Sequence, residues 1–113
     1  MKQHLLFVCT SNVSRSPAAV RLFTNSLRYE ARSAGIRPLA GRPTHAVTQD
    51  LIDWADVIFV MSEREDKHLT FLQQHFNLLN KKIYDLDIAD IYAETRLGEL
   101  ESILRQKLAY YIT

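Results

Sequence analysis

The chain begins with a short apolar run that leads through a polar loop into an amphipathic segment. Leu5-Leu6-Phe7-Val8 has the near-continuous apolar character of a strand that is buried on both faces of a parallel sheet. Cys9 follows directly, and residues 18–29 carry apolar side chains at helical spacing. Pro17 suits the first turn of that helix, where its missing N–H would have had no partner. The segment therefore predicts a strand, a tight loop and a helix.

Strands and helices are predicted to alternate along the rest of the chain. The pattern predicts strands at 29–33, 56–61 and 81–86, and helices from Thr44 or Thr48 to Trp54, from 62 to about 77 and from 95 to 111. Ser62 and Glu65 have the spacing of a helix capping box. Such alternation predicts an α/β fold with a parallel sheet between two layers of helices.

The apolar character of the strands predicts their order in the sheet. The first and third strands are the most apolar, so we expect them to be neighbours, which gives a four-stranded parallel sheet of order 2-1-3-4. In this order the chain reverses its winding direction between strands 1 and 3. Ligands bind at such a point, beyond the carboxyl ends of the strands. Cys9 follows the first strand at that edge.

Length, charge and cysteine content narrow the functional classes. The 113 residues fit a single domain that spans residues 1–113, and the net charge of +1 gives no general attraction for nucleic acid or acidic membranes. A single cysteine excludes an intramolecular disulfide and a multi-cysteine zinc site, and it fits a reducing compartment. With no signal-peptide core and no stretch of transmembrane length, the cytoplasm is the expected location.

The loop after the first strand has the chemistry of an oxyanion site. A helix N-terminus and the nearby Arg15 would favour the Cys9 thiolate, and the guanidinium fork of Arg15 matches two phosphate oxygens. Ser16 could donate a hydrogen bond to the sulfur, and Asn12 tolerates the left-handed backbone that a tight loop needs. The alternatives are a small buried hydrophobic role for Cys9 and ordinary turn and cap chemistry for Asn12 and Ser16.

The pattern Cys9-x5-Arg15-Ser16, followed by Pro17, resembles the signature loop of the low-molecular-weight protein tyrosine phosphatases. Residues 33–35, 55–61 and the acidic stretch 87–90 are similar to further parts of that family. The resemblance implies a flavodoxin-like phosphatase domain that forms a phosphocysteine intermediate, without a metal or other cofactor. Its substrate would be a phosphorylated protein or a small phosphomonoester.

The resemblance also implies roles for individual residues. Cys9 would be the nucleophile, Arg15 would bind the phosphoryl group, and Ser16 would stabilise the thiolate. The phosphate-binding loop would comprise Thr10, Ser11, Asn12, Val13, Ser14, Arg15 and Ser16. An aspartate of the acidic stretch would protonate the leaving oxygen and then activate water. Asp90 is the best match for it, Asp87 the next, and Asp85 the weakest, because Asp85 lies in a predicted strand.

Departures from the family pattern leave other functions open. Ser11 stands where the family usually has Gly, Ser14 where it has a second Cys, and no Pro follows Asp90. The chain is also shorter than typical members around residues 36–48 and 87–95. A phosphate- or phosphotyrosine-binding module with little or no turnover is therefore the main alternative. A phosphocysteine carrier would not require Arg15, and a thiol-dependent arsenate reductase would need further cysteines.

Aromatic residues could stack on a substrate ring or serve as ordinary core and surface residues. The candidates are Trp54, Tyr92, Tyr110 and Tyr111. The sequence does not indicate the oligomeric state.

Overall fold

Four parallel strands form the sheet of the computed structural model, which describes residues 2–92 and 94–112. The strands are β1 (Gln3–Cys9), β2 (Tyr29–Gly35), β3 (Val57–Val60) and β4 (Lys82–Asp85). Their order is β2-β1-β3-β4, and every neighbouring pair is parallel. This confirms the predicted sheet. The predicted domain of residues 1–113 also includes Met1, Ala93 and Thr113, which lie outside the described residues.

Helices cover both faces of the sheet. They are α1 (Arg15–Arg21), α2 (Gln49–Trp54), α3 (Glu63–Asp66), α4 (His68–His75) and α5 (Leu97–Leu108), with a 3-10 turn at Glu94–Arg96. On one face, Phe7 and Phe59 of the sheet pack with apolar residues of α1 and α5. On the other face, Leu6 and Ile58 pack with residues of α2 and α4. In the part of the chain that the structure describes, no helix is long and apolar enough to cross a membrane.

Helix α1 ends earlier than its apolar spacing predicts. We expected a helix to about Tyr29, but α1 ends at Arg21. The Thr24 hydroxyl donates to Arg21 O at 3.0 Å, and Ser26 Oγ accepts from Tyr29 N at 3.0 Å. These side chains bond the backbone in a turn, an alternative to the helix that Ser and Thr commonly offer. Leu27, one of the apolar residues of the predicted helix, is 89% exposed as a result.

The helix predicted after Ser62 is two short helices. Ser62 Oγ accepts from Glu65 N at 3.1 Å, as the capping box predicts. In a capping box the Glu65 side chain would also accept from Ser62 N. Here Ser62 N donates to His68 Nδ1 at 3.0 Å instead. Lys67 then adopts a left-handed backbone (φ 57°), which ends α3 and starts α4 in a new direction. The expected single helix to Asn77 is therefore wrong.

Other boundaries shift by a few residues. The second strand, predicted at 29–33, continues to Gly35. Helix α2 begins after Thr48, whose Oγ accepts from Leu51 N at 3.1 Å, so Thr48 rather than Thr44 is its cap. Helix α5 ends at Leu108 instead of Tyr111. The carboxyl ends of β1 and β3 nevertheless lie side by side, as expected, with the loop of residues 9–16 (the 9–16 loop) directly beyond β1.

Candidate active site

Cys9 is the last residue of β1, and its sulfur is held by two neighbours from the 9–16 loop. The side chain is 2% exposed. Asn12 N donates to Sγ at 3.3 Å, and Ser16 Oγ lies 2.9 Å from Sγ. Because Ser16 Oγ accepts a bond from Asn12 Nδ2 at 2.9 Å, its own proton is available to the sulfur. Both contacts direct a hydrogen-bond donor at the sulfur.

Asn12 ties the loop to two other parts of the chain. Its backbone is left-handed (φ 58°), a conformation that Asn adopts more readily than most residues. Its Nδ2 also donates to Ser33 Oγ of β2 at 2.9 Å, and its Oδ1 accepts from His45 N at 2.8 Å. All polar atoms of this buried amide are therefore bonded, so it fixes the loop in one shape.

The loop also rests directly on the end of β2. A Cβ added at Gly35 would lie 2.6 Å from Thr10 O and 3.0 Å from Asn12 N, so only glycine leaves room for the loop. The segment that follows continues the contact, because Arg37 N donates to Thr10 O at 2.8 Å.

Arg15 is buried below the loop, and its partners leave one edge of its guanidinium group for a ligand. The side chain is 2% exposed. Its Nη1 donates to Asp66 Oδ2 and to Ile88 O, both at 2.8 Å, and Nη2 makes a long contact of 3.4 Å with Thr10 Oγ1. Among residues 2–92 and 94–112, Nε and the second proton of Nη2 have no hydrogen-bond partner. Asp90 Oδ1 is 3.7 Å from Nε. This edge has the parallel donors that bind two oxygens of one phosphate.

His68 contacts the Thr10 hydroxyl, which in turn contacts the Arg15 guanidinium group. It is fully buried, and its Nδ1 accepts from Ser62 N at 3.0 Å, so the proton is on Nε2, which donates to Thr10 Oγ1 at 2.9 Å. Burial and the charge of Arg15 lower the pKa of His68 to about 4, although Asp66 and Glu63 act in the opposite direction. His68 is therefore neutral near pH 7 and holds the Thr10 hydroxyl beside Arg15.

A cavity of about 280 Å³ opens above the sulfur. It is lined by Cys9, Ser11, Val13, Ser14, Arg15, Leu39, Asp90 and Tyr92. The nucleophile candidate, the arginine and one candidate acid thus face a single space. The other predicted loop residues, Thr10, Asn12 and Ser16, do not line it and instead bond Cys9 and Arg15, which do.

Solved structures with this architecture cover nearly the whole chain. One is Wzb from Vibrio vulnificus in complex with benzylphosphonate, with a TM-score of 0.74, 19% identity and coverage of 98% of this chain and 97% of that one. Another is the low molecular weight protein tyrosine phosphatase SP-PTP from Streptococcus pyogenes (TM-score 0.70, 17% identity, 98% and 94% covered). The chain has the fold of the low-molecular-weight protein tyrosine phosphatases.

A third structure with this phosphatase fold is the YwlE arginine phosphatase from Geobacillus stearothermophilus (TM-score 0.71, 23% identity, 96% and 91% covered). No protein-family model and no curated protein matches the chain in sequence. These likenesses confirm the predicted fold and support the resemblance seen in the 9–16 loop.

The three candidate acids of this phosphatase fold have different surroundings. Asp90 lines the cavity and is 55% exposed. Asp87 instead binds Arg64 Nη2 at 2.7 Å on the surface and does not line the cavity. Asp85 accepts from Asp87 N at 2.8 Å and from Glu63 N at 3.3 Å, which makes it part of the local backbone structure.

The four aromatic candidates also have different surroundings. Tyr92 lines the cavity. Trp54 stacks on His4 with ring centroids 4.3 Å apart, and Tyr111 stacks on Tyr84 at 4.5 Å. Tyr110 is 86% exposed and does not line the cavity.

Sequence reasoning missed Asp66 and His68. Both flank the left-handed Lys67, so the single predicted helix placed them on continuous helical turns. A histidine four residues before the buried Leu72 was a signal for a buried His68, but no pattern indicated that Asp66 would reach Arg15. Within residues 2–92 and 94–112, no group of three His, Cys, Asp or Glu side chains could hold a metal ion.

Proposed function

We propose that the chain is a single-domain, cysteine-dependent phosphomonoester hydrolase of the protein tyrosine phosphatase type, which acts without a metal or other cofactor. The observation that carries the proposal is that Cys9, the open edge of Arg15 and Asp90 line one cavity. A nucleophile, an oxyanion binder and a proton donor are the groups that phosphoryl transfer through a covalent intermediate requires.

In the first step, Nε and Nη2 of Arg15 bind two oxygens of the phosphate. The Cys9 thiolate attacks phosphorus, an S–P bond forms, and the bond from phosphorus to the ester oxygen breaks. Asp90 gives its proton to that leaving oxygen. The contact of 3.7 Å between Asp90 and Arg15 Nε supports a carboxyl group within reach of the bound phosphate.

In the second step, water attacks the phosphocysteine. The Asp90 carboxylate takes a proton from the water, an O–P bond forms, and the S–P bond breaks. Sulfur leaves as a thiolate, which the Ser16 hydroxyl and Asn12 N–H stabilise from 2.9 and 3.3 Å. Inorganic phosphate is released, and the protonation states return to those of the starting enzyme.

The cavity walls favour an aromatic phosphate ester as the substrate. Above the phosphate position, Val13, Leu39 and Tyr92 offer apolar surface to a ring. We therefore propose a phosphorylated protein or a small aryl phosphate as the substrate, and a cytoplasmic location consistent with the single reduced cysteine. Because one structure of this fold is an arginine phosphatase, a phosphoarginine peptide belongs in the substrate panel.

A phosphate-binding module with little turnover is the second candidate. The exposure of Asp90 favours it, because 55% of this side chain faces solvent, and its one close charged partner among the described residues is 3.7 Å away. An acid held this loosely would protonate a leaving group inefficiently.

Hydrolysis of p-nitrophenyl phosphate tests the proposal. We expect wild type to release phosphate, Cys9→Ser to release none, and Asp90→Asn to bind vanadate while losing at least about a hundredfold in kcat. Asp87→Asn is the matched control and should retain wild-type kcat. Equal activity in Cys9→Ser would overturn the enzyme proposal, and loss in Asp87→Asn alone would reassign the acid. Vanadate binding by a wild type that hydrolyses none of the panel would favour the binding module.

A further inference from the structure

The outer edge of β2 is open over part of its length. In this strand the backbone groups of even-numbered residues face β1, a pattern that ends with the bond from Ile36 N to Cys9 O. The backbone N–H and C=O groups of odd-numbered residues therefore point away from β1, toward the outer edge. At Gly35 the outward groups are bonded by residues 45 and 47. At Ala31 and Ser33 the outward backbone groups have no hydrogen-bond partner in residues 2–92 and 94–112.

A cavity of about 670 Å³ lies beside the Ser33 end of this edge. It is lined by Val20, Arg32, Ser33, Thr44, His45, Ala46, Thr48 and Leu51, and Ala31 does not line it. A neighbouring strand lies about 4.8 Å from the edge that it pairs with. An unpaired strand edge next to open space is a template for pairing with a second chain.

The charges on β2 are self-complementary about Ala31. Glu30 and Arg32 project to the same side of the strand and are 45% and 50% exposed. Within one chain their closest charged atoms are 3.5 Å apart. If a second β2 ran antiparallel with Ala31 opposite Ala31, Glu30 would face Arg32 of the partner subunit, and two-fold symmetry would repeat the pair.

We propose that two copies of this chain pair antiparallel through β2, with Ala31 on the two-fold axis. The two Ala31 residues exchange both outward backbone bonds, which makes the Glu30–Arg32 positions the closely spaced, non-hydrogen-bonded pairs on either side. The two sheets then form one sheet of eight strands. The occupant of the edge is a second copy, because the Glu30-Ala31-Arg32 sequence is complementary in charge to itself across a two-fold axis at Ala31.

The pairing is short, so the dimer depends on concentration. The bridge between Gly35 and Ala46 closes the edge on one side of Ala31, and the turn at residues 22–25 precedes the strand on the other. Few backbone bonds can form between these limits, which places the association in the range of weak and reversible dimers.

Sedimentation velocity from low micromolar to millimolar concentration tests the proposal. We expect wild type to dimerise, and Glu30→Arg and Arg32→Glu each to weaken the dimer at least about tenfold, because each places like charges opposite one another. The double variant E30R/R32E restores complementarity and should restore the dimer. Ala31→Pro removes an outward N–H without removing a bond to β1, and it should be monomeric.

Three results would overturn the proposal. A wild type that is monomeric at every concentration would overturn it and leave the edge for an extended segment of another protein. A dimer that neither single charge reversal weakens, or that the double variant fails to restore, would also overturn it. Thermal unfolding of the surface charge variants confirms that each is folded, so the test does not depend on the proline variant.

Discussion

Among single residues, Arg15 has the surroundings that most limit what the cavity can bind. A buried guanidinium group is costly unless its donors are bonded, and in the described structure Asp66, Ile88 and Thr10 supply those partners. They occupy Nη1 and one side of Nη2, so the side-on edge of the guanidinium faces the cavity. Asp66 therefore acts through Arg15 as a positioning residue.

Replacing Asp66 tests this role. Asp66→Ala should lower kcat/KM for p-nitrophenyl phosphate by about tenfold or more, because Arg15 loses a hydrogen bond to a charged partner. Such a hydrogen bond contributes about 1.5–3 kcal/mol. Asp66→Asn keeps an acceptor for Nη1 and should retain most of the activity. Vanadate affinity should follow the same order, because binding also needs the fixed guanidinium.

Asp85→Asn is a control for Asp66, because Asp85 bonds backbone N–H groups and does not line the cavity. Equal losses in Asp66→Ala and Asp66→Asn would contradict positioning by the hydrogen bond and would point to the negative charge itself.

At the scale of secondary-structure elements, the sequence predicted the strands better than the helices. Leu5-Leu6-Phe7-Val8 and Val57-Ile58-Phe59-Val60 are apolar at every position because both faces of their strands are covered, so composition alone indicates a central place. Helix α1 stopped early because side-chain hydroxyls bond the backbone after it. Apolar periodicity does not report that competition.

The candidate site was predictable where it is local in sequence. Cys9, Asn12, Arg15 and Ser16 lie within eight residues, and the structure brings them together as the motif predicts. The partners of Arg15 come from far along the chain, since Asp66 is separated from it by 51 residues. No sequence pattern indicated that contact or the left-handed backbone of Lys67, which follows Asp66.

Two glycines in different elements give a matched pair of variants. Gly35 ends β2 under the 9–16 loop, where a Cβ would lie 2.6 Å from Thr10 O. Gly98 is in α5, and an added Cβ would have no atom within 4 Å. Gly35→Ala should displace the loop and abolish most phosphatase activity. Gly98→Ala should raise the free energy of unfolding by about 0.5–1 kcal/mol through helix propensity, with activity unchanged.

Urea unfolding and p-nitrophenyl phosphate hydrolysis measure both outcomes. Wild-type activity in Gly35→Ala would show that the loop accommodates a methyl group at this position. It would then contradict the inference that the close contact with Thr10 O requires glycine there.

At the scale of the whole molecule, the 9–16 loop connects the site to the folding of distant segments. It is bonded to β2 through Ser33, to residue 45 through Asn12, and to α4 through Thr10 and His68. No buried side-chain nitrogen or oxygen in the described chain lacks a hydrogen-bond partner. A proton added to one member of this network therefore changes the stability of the fold as well as the site.

His68 makes this coupling measurable. In the folded chain it bonds Ser62 N and Thr10 Oγ1, it faces the charges of Arg15, Asp66 and Glu63, and its pKa is lowered to about 4. The unfolded chain takes up the proton near pH 6.5. Between these values the unfolded state binds more protons, so the free energy of unfolding falls as pH falls from about 6.5 to 4 and is fully retained above that window.

The expected loss from His68 is of the order of 2 kcal/mol at pH 5 and about 3 kcal/mol at pH 4, relative to pH 7. Urea unfolding at several pH values measures it against His68→Gln, which keeps a donor for Thr10 and does not titrate. The variant should be less stable than wild type at pH 7, because Ser62 N loses its acceptor, but the difference should shrink as pH falls. A constant difference from pH 7 to pH 4 would mean that folded His68 takes up its proton as readily as the unfolded chain does, which the burial beside Arg15 opposes.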